Sequence, residues 1–139
     1  MSELVKLKNW LLTFPGMKES TLHVDSLPHI PGSVGLFCQG VEQLRESQDI
    51  LGNRQVLCRC RFVLRRVSSQ PSEEAARWAL ALQSWVREQS ARGLAPRFGC
   101  EVAREQLRAE KGRLEKTSQT GTDTLQVVLT AEFMKKYEV

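Results

Sequence analysis

Apolar residues along this chain recur with two different periods, and the switches between them divide it into elements. Residues 54–67, RQVLCRCRFVLRRV, alternate between two sets of sharply different character. Val56, Cys58, Cys60, Phe62 and Leu64 form one set, and Leu57, Arg59, Arg61, Val63 and Arg65 form the other. Side chains of a strand point alternately to opposite faces, so this spacing predicts a long strand with the first set on a core and three arginines facing away. Leu51-Gly52-Asn53 supplies turn residues just before it, and residues 41–50 can run back alongside as the other arm of a hairpin.

Two stretches follow the helical period instead. Ser2 can cap a helix in which Leu4, Leu7, Trp10, Leu11 and Phe14 make one apolar stripe, and Pro15-Gly16 ends it. Ser72, followed by Glu73 and Glu74, reads as a second helix start with carboxylates near the positive end of the helix dipole. From there Ala75, Trp78, Ala79, Leu82, Trp85 and Val86 keep the three-and-four rhythm to about Arg92, before Gly93 and Pro96. Truncating either inward tryptophan should cost about 3–5 kcal/mol.

The remaining segments are shorter or less regular. Residues 21–24 read as a brief β segment, and Pro28 and Pro31 forbid a regular ladder across residues 27–32. Val34, Leu36 and Cys38 make a brief strand that leads through Gly40 into the hairpin. Residues 101–116 are rich in helix formers, yet Val102, Arg104, Gln106 and Arg108 alternate with Ala103, Glu105, Leu107 and Ala109 as in a polar strand, interrupted at Gly112. Both readings stay open on the residues alone. Residues 118–123 read as a loop, and residues 124–139 as a half-buried strand with Leu125, Val127, Leu129, Ala131 and Phe133 inward.

Composition narrows the class without naming a function. A chain of 139 residues with 41% hydrophobic and 26% charged content fits one globular domain, 1–139, that can bury a core. Twenty basic and 16 acidic residues give a formal charge of +4, which permits contact with an acidic surface without compelling it. The cysteines at 38, 58, 60 and 100 lack zinc-site spacing and read as buried thiols in a reducing cytoplasm. The first 16 residues mix charge and apolar character unlike a signal peptide, and no stretch approaches the ~20 apolar residues that a membrane span requires.

Candidate chemistry is sparse. His23 and His29 have no triad or metal partners in pattern and read as surface or rim residues. The glycines of residues 32–40 lack the G-K-[ST] of a phosphate loop, and Glu73 and Glu74 diverge by about 100° around their helix. The sequence therefore predicts no enzyme, no cofactor and no metal. Arg59, Arg61 and Arg65 are the one set with a functional reading, since a row of guanidinium groups could meet phosphates or a partner's carboxylates. The bland alternative is a solvated face, or pairing with Glu42 and Glu46 of the facing arm.

Taken in order, the LKNWLLTFPGM opening, Val24-Asp25, the long strand after a Gly-Asn turn, the Trp-bearing helix ending in SARGLAPRFG and the polar C-terminal hairpin carry a resemblance. The chain resembles small proteins of prophage tail modules in Gram-positive bacteria, often labelled minor capsid proteins and similar to phage tail terminator (tail completion) proteins. The resemblance implies an α+β fold, an antiparallel sheet with helices packed on one face, and so favours strand over helix at residues 101–116. It implies a ring of the chain itself, of six subunits, that caps the tail tube protein, stops polymerisation and offers the surface to which the head attaches. Such a protein works at the head-proximal end of the virion tail, after assembly in the host cytoplasm, with head-tail connector proteins as partners and no membrane. In that setting Arg59, Arg61 and Arg65 would line a lumen in transient contact with DNA, or meet an acidic neighbour. A head-tail connector subunit is the nearest alternative, and a small nucleic-acid-binding module is the alternative from another class.

Overall fold

The computed structural model describes residues 3–17, 21–28, 30–69, 73–99, 105–110, 112–117 and 122–137. Within them the elements run α1 (Glu3–Leu11), a short 3-10 turn (Pro15–Met17), β1 (Thr21–Val24), β2 (Ser33–Gln48), β3 (Arg54–Ser69), α2 (Glu73–Ala91), β4 (Gln106–Ala109), β5 (Arg113–Thr117) and β6 (Thr122–Tyr137). The strands form one six-stranded sheet in the order β1-β2-β3-β6-β4, with β5 following β4 along the same edge of β6. All pairings are antiparallel except β1 with β2, which is parallel. The fold is α+β, with both helices on one face of the sheet.

The two-faced strand forms as its alternation requires. Val56, Cys58, Cys60, Phe62 and Leu64 are all buried, and across the ladder β6 sets Phe133, Ala131, Leu129 and Val127 beside the last four of them. Cross-strand apolar pairs of this kind are the unit of sheet stability and are strongest when one face is fully covered. The cover is an aromatic joint between the helices. Trp10 of α1 stacks on Trp85 of α2 with centroids 4.5 Å apart, and Phe14 packs against Trp85 at 5.2 Å and edge-on to Trp78 at 6.0 Å. Trp10 also donates its indole N–H to Gln89 Oε1 at 3.1 Å, whereas the buried indole N–H of Trp78 has no hydrogen-bond partner among the described residues. Phe98, from the segment after α2, closes the other side against Phe62 and Phe133.

Three readings are revised. The brief strand at 34–38 and the arm at 41–50 are one strand, Ser33–Gln48, because register shifts at Cys38/Val41 and Gln43/Arg45 absorb the extra residues without ending the pairing. Gly40 takes φ 99° within the first shift, a conformation that strains other residues. Cys58 and Cys60 are buried, but Cys38 is exposed where β2 runs out from beneath the helices; Cys100 lies outside the described residues. The loop reading of residues 118–123 extends too far, since β6 already begins at Thr122 and Asp123 is buried; residues 118–121 lie outside the described set.

In the segment where helix and strand competed, residues 106–109 and 113–117 are strands, and residues 101–104 lie outside the described set. Leu107 is buried while Gln106 and Arg108 are exposed, the alternation of a half-buried edge. Pairing with β6 overrides helix propensity here, as tertiary context commonly does.

Candidate functional site: the open sheet face

Because directly paired residues share a face, the β2-β3-β6 register builds the uncovered side of the sheet row by row. Gly35, Arg65 and Gln126 make one row; Phe37, Val63 and Val128 the next; Arg61 and Thr130 follow; Glu42, Arg59 and Glu132 make the fourth. All three predicted arginines therefore lie on this face, at alternate positions of one strand.

Their surroundings differ. Arg59 donates from Nε and from a terminal nitrogen to Glu132 Oε1, at 3.1 and 2.9 Å, and Arg108 of β4 reaches the same oxygen at 3.5 Å. Arg65 donates from Nε to Gln126 Oε1 at 3.2 Å. Arg61 is exposed, and among the described residues its guanidinium has no hydrogen-bond partner. The row of three is thus one paired cation, one tethered cation and one free cation.

The acidic partner is not the one expected from the hairpin. Glu42 stands opposite Arg59 but forms no ion pair among the described residues, while Glu46 bonds Arg54 at 3.1 Å. The register shift between Gln43 and Arg45 explains this, since it sets Glu46 across from Val56 and so on the helix side of the sheet.

The face is also partly apolar. Val63, placed by its alternation among outward residues, is buried between Phe37 and Val128. Two shallow depressions flank it, one of about 260 Å³ lined by Phe37, Gln39, Val63 and Arg65, and one of about 190 Å³ lined by Gln39, Gly40, Val41, Glu42, Arg59 and Arg61. Near the β1 edge the chain crosses over β2: a Cβ on Gly35 would lie 2.7 Å from the Ser26 carbonyl oxygen and 3.1 Å from Leu27 Cβ, so only glycine permits the crossing. Mixed sign, a small apolar centre and a bare β2 edge make this a surface suited to another protein more than to a run of phosphates.

Three features had no part in the sequence reading. Arg66 turns to the helix side, is buried, bonds Glu74 at 3.0 Å and lies over the Trp78 ring at 5.3 Å. The signal was available, because two adjacent arginines on a strand must face opposite sides. Glu105 accepts the backbone N–H groups of Phe98 and Gly99 with one oxygen, fixing the segment after α2 against β6. At the hairpin tip, Asp49 Oδ1 accepts from the Leu51 and Asn53 amides, both at 2.9 Å, while Ile50 and Leu51 point into solvent.

Among the described residues no group of three or more His, Cys, Asp and Glu side chains gathers as a metal site, and no helix is long and apolar enough to cross a membrane. His23 is half-buried on β1, and His29 lies outside the described residues. No protein-family model matches the chain, and no curated protein sequence matches it.

Proposed function

We propose that the protein is a non-enzymatic structural subunit of a phage tail, which assembles as a ring on the end of the tail tube, stops its growth and provides the surface for head attachment. The observation that carries this reading is the open face: a sheet whose Arg59 and Arg65 are held by Glu132 and Gln126 around a small apolar centre, beside a β2 strand that is exposed from Cys38 onward apart from half-buried Leu44. Such a surface is organised for protein contact, and a repeated chain presents it symmetrically to a symmetric tube. The resemblance in order of elements and in short phrases supplies the identity of the tube. A head-tail connector subunit would share the ring and differ in binding the portal side.

The test is to mix purified protein with isolated tail tubes and image them. The reading predicts density at one end of each tube and tubes that no longer elongate when tail tube protein is added. Binding along the sides, at neither end, or with no effect on elongation contradicts it. A nucleic-acid module would instead bind DNA as a monomer, with affinity falling steeply with salt and dropping on Arg61→Glu.

A further inference from the structure

The two most exposed large apolar side chains of the described residues are neighbours: Ile50 at 97% and Leu51 at 79% exposure, at the tip of the β2-β3 hairpin. The tip is rigid. Asp49 accepts the Leu51 and Asn53 amides through Oδ1 and the Asn53 side-chain amide through Oδ2, and Gly52 turns the chain at φ 91°. Desolvation, the largest single influence, opposes ionisation of the Asp49 carboxyl, but the hydrogen bonds together outweigh it and hold the group below its ordinary range, so the tip carries a negative charge at neutral pH. Displaying two aliphatic side chains on a preformed turn is unfavourable in water, and a preformed turn loses little entropy when it docks.

A complementary recess lies at the opposite edge of the sheet. Between the end of α2, the segment after it and β4 is a cavity of about 500 Å³, lined on its apolar side by Ala91, Ala95, Pro96 and Leu107, with Arg97, Arg108 and Glu105 beside them, so that its cations outnumber its one carboxylate. Its size falls in the range of ~300–1,000 Å³ that holds compact apolar ligands, and its guanidinium groups complement Asp49. The strand order places the tip on β2-β3 and the recess at β4, on different edges of one molecule. A contact between them is head-to-tail, the type that closes into a ring when the rotation permits.

We propose that the Ile50-Leu51 tip of one copy seats in the α2-β4 recess of the next copy, with Asp49 facing Arg97 and Arg108. This deepens the ring reading and rests on it for the biological role, although the contact itself is testable alone. The test is sedimentation velocity over a concentration series on the full chain, with a tip variant, Ile50→Ser with Leu51→Ser, and a recess variant, Ala91→Trp. All three substituted positions are exposed, and circular dichroism checks that each variant folds.

The wild-type chain should self-associate. Each variant should require about 100-fold higher concentration, the loss expected when a central anchor is removed. An equimolar mixture of the two variants should form dimers that grow no further, because it offers one intact tip and one intact recess per pair. Wild-type protein that stays monomeric to about 1 mM, a contact weaker than any specific assembly needs, overturns the proposal. So do variants that associate like wild type, or a mixture without dimers. If the tip variant still caps tail tubes, this contact is wrong and the tail-end function stands. If tip-dependent rings form but ignore tubes, the contact stands and that function is wrong.

Discussion

Arg66 shows how far one side chain can depart from the pattern around it. Among the described residues its guanidinium, buried over Trp78, has a single, largely exposed partner, Glu74, and its Nε has none. Burying a charge with incomplete partners is costly, and an apolar residue of similar volume removes that cost while keeping the packing. Arg66→Met should therefore match or exceed wild-type stability, whereas Arg66→Ala should lose about 2–4 kcal/mol through the void beside Trp78; urea unfolding measures both. The Arg59-Glu132 pair is weaker in effect because both side chains remain partly solvated, at 26% and 20% exposure, and a double-mutant cycle should return a coupling of ~1 kcal/mol or less. Cys60 gives a pH signature. Burial first, then the neighbouring Cys38 thiol and the Glu3 carboxylate, push its thiol up to about 12. A folded pKa above the unfolded value means stability is fully present below the ordinary thiol range and is lost as pH rises through the folded value. Wild-type protein should lose stability between about pH 9 and pH 11 faster than Cys60→Ala does, a difference that denaturant titration at several pH values would register.

At the scale of elements, legibility followed how strongly local pattern and burial agree. The two-faced strand, both helices and the last strand were readable because each has one covered face, so that apolar residues fall at a single period. Residues 106–109 and 113–117 were not readable as strands from residues alone, because a four-residue edge strand such as β4, with Leu107 its one buried side chain, leaves little alternation to detect, and the pairing of both is set by β6. The arginine row was legible as a shared face, but its partners were not. A bulge moves every later side chain of β2 to the other face, and nothing in the sequence around Gln43 announces one. Gly40 and Gly52 are where the hairpin depends on backbone freedom, at φ 99° and 91°. Alanine at Gly52 should destabilise by about 1 kcal/mol and weaken hydrogen-exchange protection of the Leu51 and Asn53 amides, while leaving α2 unaffected. Truncating Trp10, which joins the helices through Trp85 and Gln89, should cost about 3–5 kcal/mol by thermal unfolding.

For the whole molecule, the two faces of the sheet divide the labour. The helix side supplies the aromatic joint and the buried residues of the β3-β6 ladder that pack the sheet into one core, and the open side carries polar groups already in place. We propose that a plate with a projecting hairpin on one edge and a recess on the other serves as a unit for repetition. Native mass spectrometry of the purified chain across a concentration series, with negative-stain images of the largest species, reads this assembly out. A repeating unit of this kind should give a closed hexamer that becomes dominant as concentration rises and appears as a ring with a central opening. A chain that remains monomeric throughout, and still monomeric when tail tubes are added, would contradict it.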